Sequence, residues 1–497
     1  MKQIKTYIFS LMVLAMVLPS CSETLEEINE DPNKVTEIDD GYLFSKAVQL
    51  TFGGDQNERK LQFFFGSQYS HYYVVRHNTG RPHDKYMDYL YTDDYYAVLT
   101  GTFTSGLKHS NKVVTMTSPS GTDNPLRNAL AKVVSIVSYT RITDLYGDIP
   151  YSEGGWGDLG KLHPKYDPQE FIYKSMMDTL KWCYETIKKS NPEDGYDIFD
   201  PLYDNHLEYW AKFANSMRLR LAMRARFAAP EFCENVIKEC MQNDLIEKNE
   251  ENARLFSLND NRNYNQWSGT WDLMPWKMSS YIVDSLKRWQ DPRLFYWVNP
   301  TPEGKYMGVP NGIDDDNFGS IKWDTISDPA KALRAPDMPV HYLTASEVYL
   351  NKAEAEVIFG GSNANEYFQK AIVLAMTLWK IPLDTINNYM QRSPQATLYD
   401  TDDTEMKLRK IGNQKWLTLV TNFTEAYTEI RRLGYPEIPQ RKESDGLDLG
   451  VTNGYLPKRF LYPLEEISLN EKNAMDAIER QGPNLITTPV WWDVRGD

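Results

Sequence analysis

Cysteine is scarce in this chain, with four in 497 residues. Cys183, Cys233 and Cys240 are scattered, and the last two fall seven apart on an expected helix. That spacing separates them by roughly 10 Å, beyond disulfide reach. No cysteine or histidine cluster has zinc-ligand spacing, so the fold must rest on its core, and the sequence calls for no metal and no cofactor. Positive charge is also short: 54 Lys and Arg against 69 Asp and Glu give a net charge of -15. Nucleic acid is excluded as a partner on that balance, because phosphate binding needs basic patches. Beyond the first twenty residues there is no long apolar run, which argues against membrane spans.

Catalytic signatures are missing as well. There is no H-E-x-x-H and no G-x-S-x-G, and Ser105-Gly106-Leu107-Lys108 has no partner motif for acyl transfer. Gly155-Trp156-Gly157-Asp158-Leu159-Gly160 spells a dinucleotide fingerprint, but Pro150 precedes it and Pro164 and Pro168 follow, where a strand and a helix are needed. It reads as a connecting loop. Asp314-Asp315-Asp316-Asn317 lacks the alternating spacing of a calcium loop and reads as a solvated acidic turn. Paired carboxylates of a glycoside hydrolase need only face each other in space, so that alternative stays open. No catalytic residue is assigned.

What is present begins at the amino terminus. Lys2 and Lys5 lead into an apolar run, Tyr7 to Leu18, too short to span a bilayer but matching the apolar region of a signal peptide. It closes on Leu18-Pro19-Ser20-Cys21, which resembles a bacterial lipobox. Residues 1–20 are therefore expected to be a lipoprotein signal peptide, Cys21 the lipid attachment site, and 21–40 an acidic tether. Residues 41–497 are expected to form a single domain.

That domain reads as mainly α. Apolar residues recur at helical spacing over 207–227 (Trp210, Phe213, Ala214, Met217, Leu221), and again over 231–245, 343–359 and 363–379. Residues 125–146 and 168–188 form a further pair. Helix, short turn, helix, with alanines where helices approach closely, is the pattern of tetratricopeptide-like hairpins. Residues 252–339 differ: rich in Asn, Asp, Gly, Pro and Trp, with little periodicity, they read as a loop-rich insertion on the scaffold, where binding surfaces commonly sit.

Several motifs together carry a family likeness. They are Glu30-Asp31-Pro32-Asn33, Thr143-Asp144-Leu145-Tyr146-Gly147-Asp148-Ile149-Pro150, Pro164-Lys165-Tyr166-Asp167-Pro168 and Trp210-Ala211-Lys212-Phe213-Ala214-Asn215-Ser216. Nearer the end come Glu429-Ile430-Arg431-Arg432-Leu433-Gly434-Tyr435-Pro436, Pro457-Lys458-Arg459-Phe460-Leu461-Tyr462-Pro463 and Val490-Trp491-Trp492-Asp493. As a set they resemble the SusD/RagB family of outer-membrane nutrient-binding lipoproteins of Bacteroidetes. The resemblance implies a surface lipoprotein, lipid-anchored in the outer membrane and facing the exterior. It would capture oligosaccharides, or alternatively oligopeptides, and deliver them to a TonB-dependent outer-membrane transporter (SusC-like), without catalysis. The shared motifs read as framework: Arg431 and Arg432 end a helix where cations suit the dipole, and Gly434 fits a left-handed cap.

Ligand residues do not follow from the likeness and are sought in composition. The aromatic fraction is 13%, with 32 Tyr and 13 Trp, and such rings offer an apolar face with a polar tip, suited to stacking on sugars. Two polar-aromatic stretches stand out. One holds Tyr69, Tyr72 and Tyr73 with Arg76; the other holds Tyr264, Trp267, Trp271 and Trp276 among Asn, Gln and Ser. Each could grip a ligand or anchor a loop to the scaffold.

Overall fold

A computed structural model describes residues 38–53, 60–75, 98–157, 160–257, 265, 268–273 and 275–495. Cys21, the leader and all of the tether but residues 38–40, together with Arg76, Tyr264 and Trp267, lie outside the described residues. Gly41–Asp497 forms one compact unit. It is mainly helical, as the periodicity predicts.

Helices of nine residues or more are α1 (Asp40–Val48), α2 (Lys108–Met116), α3 (Pro125–Tyr146), α4 (Gln169–Lys189), α5 (Leu207–Ala225), α6 (Pro230–Met241) and α7 (Ser280–Arg288). They continue as α8 (Ala345–Phe359), α9 (Ala364–Leu378), α10 (Leu383–Arg392), α11 (Thr404–Thr418), α12 (Phe423–Leu433) and α13 (Glu471–Gln481). Sequential neighbours α3 with α4, α5 with α6, α8 with α9, and α11 with α12 pack as hairpins, and α4 with α5 and α8 with α11 join them. Local chemistry sets the ends. Asn124 caps α3, its side chain accepting from the Arg127 N–H with Pro125 at the first position. Gly360 and Gly434 close α8 and α12 in the left-handed region at φ 73° and 76°, as expected at Gly434. Helix α8 starts two residues later than its apolar pattern suggests. Val340–Leu343 is extended, and Thr344 caps the helix by accepting from the Glu347 N–H.

The strands are short: β1 (Tyr73–Val75), β2 (Ala253–Leu255), β3 (Trp276–Met278) and β4 (Val340–Leu343). They pair antiparallel as β1 with β3 and β2 with β4. Within 252–339 the structure is less irregular than the sequence reads, because β2, β3 and α7 interrupt the loops. The acidic turn at Asp314 is a helix cap, its carboxylate accepting from the Asn317 N–H. No group able to hold a metal occurs among the described residues. Cys183, Cys233 and Cys240 are free and buried.

The scaffold interior is charged. Arg220 donates to Glu347 from two guanidinium nitrogens at 2.6 Å. Arg224 reaches Asp144 at 2.5 Å and also Glu425. Arg432 grips Glu354 at 2.7 and 2.8 Å and Glu429 at 2.8 Å. Lys415 adds Glu354 at 2.8 Å and Glu429 at 3.1 Å, and Arg226 adds Glu354 at 3.0 Å. Five cations (Arg220, Arg224, Arg226, Lys415, Arg432) thus face five carboxylates (Asp144, Glu347, Glu354, Glu425, Glu429), and together they bind α3, α5, α8, α11 and α12. Burial alone would raise the Glu354 and Glu429 carboxyls, but the surrounding Arg and Lys charges overcome it and hold both below the usual range.

Arg431 and Arg432 stand in the last turn of α12, as expected, and both are also bonded into the interior. Arg432 is wholly buried in the network, while Arg431 donates to the carbonyls of Lys458 and Asp144 at 2.6 and 2.8 Å. Other family motifs converge on the same place. The Trp492 indole donates to Asp144 at 3.1 Å, the Tyr462 hydroxyl donates to the Asp148 carbonyl at 2.5 Å, and the Asp148 carboxylate accepts from the Gln169 N–H at 2.9 Å. They are framework, as read.

Candidate functional site

The two polar-aromatic stretches, some two hundred residues apart in sequence, meet in space. Strand β1 carries Tyr73 beside Met278, Val74 beside Lys277 and Val75 beside Trp276 of β3. Tyr73 and Trp271 meet edge to face at 5.1 Å, Trp271 and Trp276 at 5.9 Å, and Phe63 meets Trp271 at 5.0 Å. Tyr72 stacks on Trp416 of α11 at 5.3 Å.

These rings are not a grip. Tyr69, Tyr72 and Tyr73 are at most 1% exposed, Trp276 is 4% and Trp271 8% exposed. The polar tips of Tyr72 and Trp276 are bonded inside, and the Tyr73 hydroxyl is buried without a partner. The Tyr72 hydroxyl donates to the Trp416 carbonyl, the Trp416 indole donates to the Ser70 carbonyl at 2.8 Å, and the Trp276 indole to the Thr270 carbonyl at 3.0 Å. The expectation that Tyr69, Tyr72, Tyr73, Trp271 and Trp276 stack on a ligand is therefore corrected. Tyr72, Tyr73, Trp271 and Trp276 form an aromatic floor under the loop-rich layer, and Tyr69 packs into the scaffold core against Phe65 and Tyr427. The partner of the Tyr72 hydroxyl comes from a segment far away in sequence, so a polar tip read locally as a binding group is spent inside the core.

The floor anchors neighbouring chain. Asn265, between Tyr264 and Trp267 in sequence, donates its backbone N–H to the Pro336 carbonyl at 2.8 Å and its amide to the Met338 carbonyl at 2.9 Å. Next to Met338 lies a small groove of about 70 Å³, bounded by Met338, Pro339 and His341, by Thr344, by Ala375, Leu378 and Trp379 at the end of α9, and by Thr418 and Thr421 between α11 and α12. Trp379 is half-buried, with its ring edge-on to Trp297 at 5.5 Å. Helix α9 stops at Leu378, and Lys380 turns the chain through φ 57°, which leaves the indole on the groove wall. His341 faces Arg254 across the β2–β4 pair. Burial, aided by the Arg254 charge, lowers its pKa to about 3, so the imidazole is neutral. Its Nδ1 is buried without a hydrogen-bond partner.

Sequence reasoning missed both residues. Trp379 continues the apolar stripe of Phe368, Ala371, Ile372 and Ala375 and so reads as core. His341 stands in a short strand with no motif around it. A second, larger groove of about 460 Å³ runs between the Gly155 loop and the start of α13, past Phe103, Leu162, Tyr166 and Leu469. The Gly-rich segment there is a connecting loop, as expected.

A scaffold of antiparallel helical hairpins with a loop-rich layer on an aromatic floor defines the class, a tetratricopeptide-like helical protein. The chain belongs to the SusD-like family described as starch-binding and associating with the outer membrane, whose profile matches residues 32–463. Among solved structures, a chitin-binding protein is 27% identical, with a TM-score of 0.79 covering 92% of this chain and 100% of that one. A SusD homologue from Bacteroides uniformis is 22% identical, with a TM-score of 0.77 over 92% and 99% of the two chains. A chitin-binding SusD homologue from Flavobacterium johnsoniae is 20% identical, with a TM-score of 0.77 over 92% and 99%. No curated protein matches the chain. Among the described residues no helix is long and apolar enough to cross a membrane.

Proposed function

We propose that this protein is a nutrient-binding lipoprotein of the outer membrane that captures oligosaccharides and passes them to a TonB-dependent transporter without chemically altering them. The observation that carries the reading is the family match across residues 32–463. The 27% identical chitin-binding structure supports it over the same scaffold. Cys21 would take the lipid and become the first residue of the mature chain, with residues 22–40 as the tether. Trp267, Tyr264 and Arg76 stay as ligand candidates.

Binding without reaction asks only for stacking and hydrogen bonds. Weak retention of that kind leaves transfer to the transporter downhill. The decisive experiment is affinity electrophoresis of the purified protein in gels cast with starch, chitin derivatives and other polysaccharides. Retardation by a glycan, with no release of reducing sugar, supports the reading. Retardation by none, together with binding of an oligopeptide library, transfers the role to peptides, and sugar release makes the protein a hydrolase. Replacing Cys21 by Ser should abolish incorporation of a labelled fatty acid in cells.

A further inference from the structure

We infer that the groove between the Gly155 loop and the start of α13 is a binding site for an organic cation, an amine whose apolar body lies along Phe103, Leu162 and Leu469 and whose ammonium meets the Glu466 carboxylate. The site is independent of the carbohydrate reading above and goes beyond it.

Three features of the groove select that chemistry. The first is its walls. Leu99, Phe103, Pro150, Leu162, Pro164 and Leu469 give it a mostly apolar lining. Leu162 and Leu469 are 74% and 64% exposed, so an apolar body laid on them removes their surface from water along with its own. The Phe103 ring is held edge-on by Tyr139 at 6.4 Å and is ordered before anything binds. A ligand covered with hydroxyls would leave several of them desolvated and unpaired against these walls. The volume of about 460 Å³ falls in the range of small-ligand sites, roughly 300–1,000 Å³.

The second is a carboxylate with no cation beside it. Glu466 lines the groove half-buried. Its Oε1 accepts from the Tyr166 hydroxyl at 2.8 Å, which sets the orientation of the group. Among the described residues no basic side chain pairs with it. The lysines of the neighbouring loop are already taken, Lys161 by Glu153 at 3.0 Å and Lys165 by Asp167 at 3.5 Å. A half-buried carboxylate attracts an ammonium more strongly than one in bulk water, because less solvent screens the pair.

The third is what the other polar groups leave free. The Asn470 amide donates to the Pro164 carbonyl at 2.8 Å, and its oxygen accepts from Asn473 at 2.8 Å. His163 Nδ1 lies 3.0 Å from the Leu469 carbonyl. A carbonyl only accepts, so Nδ1 carries the proton, and the neutral ring keeps Nε2 as an acceptor. Glu466 and His163 therefore both call for donors. An ammonium brings three N–H groups and no acceptor, whereas an anionic ligand would be repelled by Glu466.

Saturation-transfer NMR titration of the purified protein with 4-phenylbutylamine, 4-phenylbutanol and 4-phenylbutyrate tests the site, since the three share one body and differ in the head group. The amine should bind the wild type with a Kd of about 1 mM or tighter, the alcohol about tenfold more weakly, and the acid not measurably. Glu466→Gln, which keeps an acceptor for Tyr166 and removes the charge, should lose about tenfold for the amine and nothing for the alcohol. Leu469→Ser, at an exposed position, should lose about threefold for both. Equal binding of amine and alcohol by the wild type, or undiminished amine binding by folded Glu466→Gln, overturns the cation site. Undiminished binding by Leu469→Ser overturns the groove as its seat, and an amine that does not bind the wild type overturns the whole assignment. If Glu466→Gln fails to fold, judged by circular dichroism, the head-group series and Leu469→Ser decide. Retardation in glycan gels stands or fails separately.

Discussion

The interior of the scaffold and the floor beneath the loop-rich layer are both sealed from water, yet they are built from opposite materials. In the scaffold, paired charges such as Arg432 with Glu354 and Arg224 with Asp144 lock five helices together. In the floor, Phe63, Tyr72, Tyr73, Trp271, Trp276 and Trp416 meet as rings. Charge pairs are directional and leave a severe penalty when one member is lost, which specifies helix register. Aromatic packing is less directional and adapts to the loops that leave it.

The comparison can be broken most forcefully at Glu354, which faces Arg432, Lys415 and Arg226 with no exposure. Glu354→Gln should strand those cations and cost about 3–5 kcal/mol, read from urea denaturation. A loss below 1 kcal/mol would show that the network does not hold the frame. Next comes the turn after α3. Gly147 has φ 81°, and a Cβ there would meet Gln481 Oε1 at 2.1 Å. Gly147→Ala should therefore cost about 2 kcal/mol in backbone strain and displacement, and an unchanged melting profile would refute that packing.

Acid should separate the two regions. Burial lowers the pKa values of His71 and His341 to about 3, with Arg441 and Arg254 adding to it. Their stabilising effect is full above the unfolded value near 6.5 and fades as pH falls, because only the unfolded chain then takes the proton. Between pH 7.5 and 6 the loss is on the order of 1 kcal/mol for each histidine. Burial raises Asp144 to about 6, which acts in the opposite sense and only below that pH. Glu354 and Glu429, held low, weaken the frame only below about 4.5. Hydrogen exchange at pH 7.5 and pH 6 should show floor amides loosening while α8 and α12 stay protected. Equal loosening would erase the distinction. The smallest expected effect is Tyr72→Phe, which removes the hydroxyl bond to the Trp416 carbonyl at about 1 kcal/mol, measured by the same denaturation.

Much of the scaffold was legible because helices are local objects. The 3.6-residue period and Pro125 place α3 at its observed limits, and Gly434 closes α12 as its conformational freedom predicts. The site was far less legible. Tyr72, Tyr73, Trp271 and Trp276 look like ligand residues beside their polar neighbours, yet the Tyr72 hydroxyl is bonded to residue 416. Trp379 looks like core because its stripe is regular, yet its helix ends one residue short of covering it. Arg432 looks like a helix terminus residue, and its partners Glu354 and Glu429 lie 78 and 3 positions away.

By itself, the amino-acid order determined the helical class, three of the helical hairpins to within a few residues, and membership of the family through its scattered motifs. Those properties depend on neighbours within a few turns of chain, or on residue identity alone. Which rings are sealed, which indole lines a groove and which charges cancel in the interior were decided only on folding. Burial and pairing are set by atoms hundreds of residues apart, and no local pattern records how closely they approach.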